Sequence, residues 1–210
     1  VLFRSILKNQ GKLKEAESAY RKTIQLNPGL AEAHLNLGNI LQNLGRLKEA
    51  ESFTRRTIEL NPNFAEAYLN LGNILHNLEN FKEAENSYRK ATELRPNFKE
   101  ALIVFSIFLR NIGKLKDAEL YTRKLIQLSP ELAEAHSNLG GILISKGQFK
   151  DAKISLLKAI DLKPNFSRVF YLLSLLNSSN KDQEWQDRLF SENFLDRKST
   201  RLNSSHRCIS

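Results

Sequence analysis

The chain has five prolines, and they recur at a single spacing. Pro28, Pro62, Pro96, Pro130 and Pro164 each follow the previous one by 34 residues. A fixed spacing of about 20 to 50 residues is typical of a stacked-repeat protein, in which each unit buries its apolar face only against its neighbours. The sequence therefore predicts a linear array of similar units.

Each 34-residue period contains two amphipathic helical patterns. With Ala31 taken as repeat position 1, the first half places three leucines at helical spacing, at Leu37, Leu41 and Leu44. The second half has apolar or small residues at helical spacing, at Leu47, Ala50, Phe53, Thr57 and Leu60. Gly45 ends the first pattern, and Asn61 ends the second because a residue before proline is disfavoured in a helix. Each repeat is thus predicted to be a pair of helices.

Small residues recur where paired helices must approach closely. Position 8 is glycine in three repeats, and position 20 is alanine throughout: Gly38, Gly72 and Gly140, and Ala16, Ala50, Ala84, Ala118 and Ala152. A larger side chain at either position would push the helices apart, since protein interiors are closely packed.

These positions together resemble the tetratricopeptide repeat (TPR). The small residue at position 8, alanine at 20, proline at 32 and apolar positions 7, 11, 17, 24 and 30 match that family's pattern over residues 6–166. The resemblance implies an all-α, right-handed superhelical solenoid of antiparallel helix pairs. Ser106 replaces the position 8 glycine, so helix packing is least well predicted in its repeat. The resemblance divides the chain into a partial repeat at 6–30, full repeats at 31–64, 65–98, 99–132 and 133–166, and a degenerate repeat with capping helices at 167–195.

The two ends of the chain fit no position of the repeat. Residues 1–5 and 196–210 both resemble translated sequencing adapters, and we expect them to be non-native segments with no place in the repeat fold. The chain contains no methionine, which agrees with a gene fragment cut at both sides. A natural polar tail is the alternative.

Without those segments the chain is only mildly basic. The sequence has 32 Lys and Arg against 23 Asp and Glu, and removing the five basic residues and one acidic residue of the end segments leaves 27 against 22. Glutamate and arginine recur as i, i+4 pairs on the second helices, at Glu17/Arg21, Glu51/Arg55, Glu85/Arg89 and Glu119/Arg123. We interpret this side as a solvated outer face, and the charge balance disfavours a nucleic-acid partner. The best candidate site for an anionic partner is the column of lysines at position 18: Lys14, Lys48, Lys82, Lys116 and Lys150.

Residues that could support catalysis or metal binding are few. His34 and His136 share position 4, three repeats apart, and are interpreted as packing substitutes for an aromatic residue. The only cysteine, Cys208, lies in the presumed non-native end. The longest apolar run, 101–109, is shorter than the roughly 20 residues a membrane helix needs. We therefore predict no catalytic site, cofactor, metal or membrane segment in this chain, and a cytoplasmic protein by default.

Asparagines form a stripe on the first helices. Asparagine costs about half a kcal/mol against alanine in a helix interior, so helix propensity did not select it. In the resembled family the first helices line a concave groove, and the resemblance places the stripe there, where carboxamides can pair with the backbone of an extended polypeptide. The alternatives are that these side chains bridge neighbouring first helices, or that asparagine is the default residue of this repeat. The residues, which lie at i, i+3 and i+7 in the first two full repeats, are Asn36, Asn39 and Asn43, then Asn70, Asn73 and Asn77, with Asn138 at position 6 again.

Apolar residues replace the stripe in the repeat at 99–132. Ile103, Val104 and Ile107 occupy the groove positions there, and Asn111 continues the stripe. An apolar patch would suit a ligand with a hydrophobic anchor, because binding energy concentrates in a few desolvated contacts. The alternatives are a helix covered by a folded neighbour and a decayed repeat.

Two roles follow for the chain. The first is a protein–protein interaction scaffold that binds an extended protein or peptide in the concave groove. The second is the substrate-recruiting arm of a larger enzyme, because the stripe is similar to the repeat array of protein glycosyltransferases and residues 170–195 resemble the segment before the sulfotransferase domain of some bacterial repeat proteins. A chaperone-cofactor role is disfavoured, because the family's carboxylate clamp needs basic residues where position 2 holds glutamates: Glu32, Glu66, Glu100 and Glu134.

Overall fold

A computed structural model describes residues 2–177, with side chains from residue 11 to residue 176. Within that part of the chain the structure is all-α, as predicted, and contains ten helices. Helices α2 to α9 form four successive antiparallel pairs, and each pair packs on the next. The helices are α1 (Leu2–Leu26), α2 (Ala31–Asn43), α3 (Leu47–Leu60), α4 (Ala65–Asn77), α5 (Phe81–Leu94), α6 (Lys99–Asn111), α7 (Leu115–Leu128), α8 (Ala133–Ser145), α9 (Phe149–Leu162) and α10 (Ser167–Asn177).

A tight turn joins the two helices of each pair. Gly45 has a φ of 77°, in the left-handed region where glycine is favoured. Beyond it, the Arg46 N–H donates to the Leu41 carbonyl at 2.9 Å and the Gly45 N–H donates to the Gln42 carbonyl at 3.0 Å, which satisfies two carbonyls at the end of α2. Glu79 holds the same turn position after α4 with a φ of 60°. The turn is therefore conserved in geometry even where glycine is absent.

The second helices end two residues before the repeating prolines. Asn61, directly before Pro62, has extended backbone angles of −141° and 90°. Its N–H still donates to the Thr57 carbonyl at 2.8 Å, so the helix ends without leaving that donor unpaired. This is the behaviour that the residue-before-proline rule predicts.

Close helix packing occurs at the predicted small positions. The alanines at position 20 of the four full repeats are fully buried: Ala50, Ala84, Ala118 and Ala152. A Cβ added at Gly72 would lie 2.6 Å from the ring of Tyr88, and one at Gly140 would lie 2.5 Å from the side chain of Leu156. These glycines therefore let a bulky residue of the second helix lie directly against the first.

The two ends of the array differ from the internal repeats. Helix α1 runs without interruption through Gly11, which holds the same repeat position as Gly45. At the other end α10 packs on α8 and α9, and its Val169 and Leu173 are buried in the last core cluster. The predicted capping helix within residues 178–195 and the predicted non-native end 196–210 lie outside the described residues. Of the predicted non-native segment 1–5, residues 2–5 form the start of α1.

Candidate peptide-binding groove

The predicted groove residues lie on the first helices α2, α4, α6 and α8, and their asparagines fall into three environments. The outermost group is exposed and consists of Asn43, Asn77 and Asn111. Asn36 is half-buried, and the structure gives its side chain no hydrogen bond to any described residue. The carboxamides of these four residues are therefore free to meet a ligand.

A second group of asparagines is engaged within the protein. The Asn70 Nδ2 donates to Asn39 Oδ1 at 2.6 Å, which links α4 to α2. The Tyr88 hydroxyl donates to Asn73 Oδ1 at 2.9 Å. Asn39 and Asn70 therefore bridge neighbouring first helices, which was one of the alternatives to ligand binding that the sequence offered. Each of these amides keeps other hydrogen-bonding capacity, because a carboxamide has two donor hydrogens and two acceptor lone pairs.

Asn138 stands apart because it is buried, with 6% of its surface exposed. Its Nδ2 donates to Ser106 Oγ at 2.8 Å and to Thr122 Oγ1 at 3.1 Å. Its Oδ1 accepts from Arg110 Nη1 at 3.1 Å. One side chain therefore ties α6, α7 and α8 together, and the serine that replaces the position 8 glycine is part of the same network.

The apolar residues of α6 are half-buried rather than open. Val104 packs against the core cluster that contains Phe105 and Phe108, and Ile103 packs against a smaller cluster that contains Leu102 and Leu125. Ile107 is half-buried one turn further along. Each side chain leaves part of its surface uncovered by the described residues.

Arg110 is a further candidate groove residue, which the repeat pattern of the sequence did not reveal. It follows Ile107 by three residues on α6, and its guanidinium lies across α8, where a Cβ at Gly141 would come within 2.9 Å of Nη1. Burial, and next the charge of Arg168 on α10, hold the pKa of Arg110 below its usual value. Among the described residues no carboxylate pairs with it, and Asn138 is its hydrogen-bond partner. Position 12 holds Gln42, His76, Arg110 and Ile144 in successive repeats, so no periodic pattern marked it.

The outer face carries the predicted ion pairs. The i, i+4 contacts join Arg21 to Glu17 at 2.9 Å, Arg55 to Glu51 at 2.8 Å, Arg89 to Glu85 at 2.9 Å and Arg123 to Glu119 at 2.8 Å. Other pairs link neighbouring repeats, such as Lys114 to Glu85 at 2.7 Å. The position 18 lysines are exposed. This side of the protein is therefore a solvated, internally paired surface.

The histidines at position 4 have a structural role. His34 is buried, its ring lies 5.9 Å from that of Phe53, and its Nε2 lies 3.0 Å from the Pro28 carbonyl oxygen. His136 Nε2 is 2.7 Å from the Pro130 carbonyl oxygen in the same way. Because a carbonyl only accepts, Nε2 carries the proton in both rings. The His34 ring therefore packs beside an aromatic ring, and both histidines anchor the preceding loop.

The described residues bring no group of three or more His, Cys, Asp or Glu together that could hold a metal ion. Within the same part of the chain, no helix has both the length and the apolarity needed to cross a membrane.

The fold and its repeated packing define the class of protein: a solenoid of stacked helix pairs. Family models of the tetratricopeptide repeat match residues 8–71, 65–98 and 133–166, so the chain carries tetratricopeptide repeats. The matches are to repeats, and the sulfotransferase resemblance stays a prediction. No curated protein matches the chain in sequence.

Solved structures share the fold. YrrB, described as a TPR protein with an unusual peptide-binding site, superposes with a TM-score of 0.68 at 26% identity, covering 83% of this chain and 90% of that one. MamA from Desulfovibrio magneticus RS-1 gives a TM-score of 0.67 at 21% identity over 79% of this chain and 95% of its own. PilF from Pseudomonas aeruginosa gives 0.72 at 18% identity over 91% and 90%.

Proposed function

We propose that this chain is a non-catalytic protein-interaction scaffold that binds an extended polypeptide along its first helices. The observation that carries the proposal is Arg110, a half-buried cation in the groove with no carboxylate partner among the described residues. A desolvated charge is costly unless it is paired, so this position favours a ligand that brings a carboxylate.

The surroundings of Arg110 fit a polypeptide rather than a small anion. The half-exposed Ile103, Val104 and Ile107 on the same helix offer an apolar surface beside the charge. Further along the stack, the unengaged amides of Asn36 and Asn77 offer donors and acceptors to peptide groups. The proposed ligand is therefore an extended segment with an acidic residue next to an apolar one. Support for a peptide ligand also comes from YrrB, which is described as having a peptide-binding site.

The test starts with peptides selected from a random library on the chain. Arg110→Gln should weaken a selected peptide by about 1.5–3 kcal/mol, roughly tenfold to a hundredfold, because it removes a hydrogen bond to a charged group. Arg123→Gln is the matched control, since Arg123 is an outer-face arginine already paired with Glu119. The Arg123→Gln variant should bind the selected peptide with the same affinity as the parent.

Two further results would argue for or against the groove. Adding salt should weaken binding to the parent more than binding to Arg110→Gln, since the charge pair is partly screened. Equal affinities for the parent and both arginine variants, measured by calorimetry, would refute the proposal.

A further inference from the structure

Repeat position 23, on the outer side of each second helix, alternates between a large aromatic and serine. It is Phe53 in the first full repeat, Ser87 in the second, Tyr121 in the third and Ser155 in the fourth. The position lies where a second helix meets the second helix of the preceding repeat. The alternation therefore changes how the clefts between second helices are filled.

An aromatic ring fills the first of these clefts. Phe53 lies between α1 and α3 over α2, and the guanidinium of Arg21 sits 5.5 Å from the centre of its ring. The cavity left is about 170 Å³, lined by Arg21, Ile24, Gln25, Leu37 and Phe53. In the third cleft Tyr121 does the same, with its ring 4.6 Å from that of Phe105. In both places the chain supplies its own ring.

The second cleft has the same lining without the ring. The residues one repeat on from those five are Arg55, Ile58, Glu59, Leu71 and Ser87, and all of them line a cavity of about 420 Å³ between α3 and α5. The lining is completed by Tyr68, Glu83 and Asn86. Between the first and second clefts, four of the five equivalent positions hold the same kind of residue: an arginine, an isoleucine, a leucine and a long polar side chain. The fifth changes from phenylalanine to serine, so the ring that fills the first cleft is missing from the second.

No bulky neighbour on α5 takes the place of the missing ring. The next residue, Tyr88, is fully buried and points the other way, with its ring 5.9 Å from Phe105 and 5.2 Å from Phe108 of α6. The Ser87 hydroxyl donates to the Glu83 carbonyl of its own helix at 2.9 Å, so it does not need a partner in the cavity. The cavity is therefore left unfilled at the position where the ring of Phe53 lies one repeat earlier.

Arg55 is held where it can cover such a ring. Its guanidinium contacts Glu51 at 2.8 Å and Glu83 at 2.7 Å, and the equivalent Arg21 contacts Glu17 at 2.9 Å while it lies beside Phe53. A cation fixed within about 6 Å of an aromatic face attracts it through the ring quadrupole. Ile58 and Leu71 add an apolar floor.

From these observations we propose that the cavity around Ser87 binds an aromatic side chain carried by a partner polypeptide. The site is separate from the groove, because Tyr68 and Leu71 lie on the opposite side of α4 from Asn70, Asn73 and Asn77 at 3.6 residues per turn. A protein occupying the groove and a second protein anchored here could thus be bound at once. Aromatic residues are the usual anchors of protein interfaces.

The first experiment follows backbone amide signals by NMR while N-acetyl-phenylalanine methylamide is added to the whole chain. Signals of Tyr68, Leu71 and Ser87 should shift in a saturable way. Ser87→Phe should weaken this response by about tenfold or more, since it supplies the ring that neighbouring repeats already contain. Ser87→Ala should leave the response unchanged, because it keeps the cavity open.

A reciprocal variant keeps the test decisive if Ser87→Phe folds poorly. Phe53→Ser should open the first cleft and create new saturable shifts at Ile24 and Leu37, and Ser87→Leu is a second filling variant. Persistent shifts around Ser87 in both filling variants, or none in the parent, would overturn the proposal.

The second experiment tests the polypeptide source. Peptides selected on the parent and counter-selected on Ser87→Phe should share an aromatic residue, and changing that residue to alanine should weaken binding by about tenfold. Arg110→Gln should leave these affinities unchanged, which separates this site from the groove. Binding of the free phenylalanine derivative without enrichment of aromatic peptides would refute a polypeptide partner.

Discussion

Replacing Asn138 with alanine tests whether the hydrogen bonds of this residue stabilise the fold. Asn36 holds the same repeat position three repeats earlier along the chain, so Asn36→Ala is the matched control. Asn138 is buried and joins three helices, whereas Asn36 is half-buried and has no hydrogen bond to a described residue. The two substitutions should therefore change the free energy of unfolding in opposite directions.

The magnitude follows from the bonds that Asn138 makes. Two hydrogen bonds to the hydroxyls of Ser106 and Thr122 contribute about 1 kcal/mol each, and the bond from the Arg110 guanidinium contributes about 1.5 kcal/mol or more. Alanine recovers about 0.5 kcal/mol of helix propensity. Asn138→Ala should thus lower the free energy of unfolding by about 3 kcal/mol, while Asn36→Ala should raise it by up to about 0.5 kcal/mol.

Urea denaturation followed by far-UV circular dichroism measures both changes. Amide hydrogen exchange should accompany it, because a stacked array can open locally, and lost protection should centre on α6, α7 and α8. In a double-mutant cycle, Asn138→Ala and Arg110→Ala should show a coupling of about 1.5 kcal/mol or more. If Asn138→Ala proved as stable as Asn36→Ala, the network would contribute nothing and the reasoning would be refuted.

Three further predictions concern stability. Ala84→Leu should cost about 1–3 kcal/mol by overpacking a fully buried position, and an unchanged urea midpoint would contradict the inferred helix contact. Glu79→Gly should stabilise the chain by about 1 kcal/mol because Glu79 has a φ of 60°, whereas Gly113→Ala, at a φ of 80°, should destabilise it; equal melting temperatures would argue against turn strain. Finally, hydrogen bonds from arginine or lysine lower the pKa of several glutamates below the ordinary value of 4.5. Their ionised forms therefore stabilise the fold above pH 4.5, and this contribution is lost as the pH falls through the lowered pKa values. The melting temperature should therefore fall on acidification, less so in high salt, and a flat profile would contradict the assignment for Glu17, Glu49, Glu83, Glu119 and Glu134.

The helix pairs could be predicted from the sequence because each boundary depends on local chemistry. Gly45 ends α2 through its own left-handed backbone, and Pro62 ends α3 through its effect on Asn61. Neither requires knowledge of a distant contact. The ion pairs of the outer face were predictable for the same reason, since i, i+4 residues on one helix are always neighbours.

The environment of each groove residue could not be predicted in this way. Asn36 and Asn138 hold the same repeat position, but Asn138 is buried because Ser106 and Thr122 supply hydroxyls from two other helices. Those partners lie 32 and 16 residues away in sequence, and neither position holds the same residue in every repeat. Arg110 was missed because its significance comes from Asn138, Gly141 and Arg168, which only the fold brings together.

A comparison of repeats two apart would have found the outer cavity. Positions 23 and 24 together hold one large and one small residue in the first three full repeats, as Phe53–Thr54, Ser87–Tyr88 and Tyr121–Thr122. Where the large residue is at position 24, it lies inside against the position 8 glycine, as Tyr88 does on Gly72. Where it is at position 23, it fills the outer cleft instead. Because interior volume must be filled in every repeat, moving the bulk inward at Ser87–Tyr88 maintains the core and necessarily leaves the outer cleft open. The cavity is thus a consequence of how this repeat packs its own core, and the serine at position 23 that opens it recurs two repeats later as Ser155.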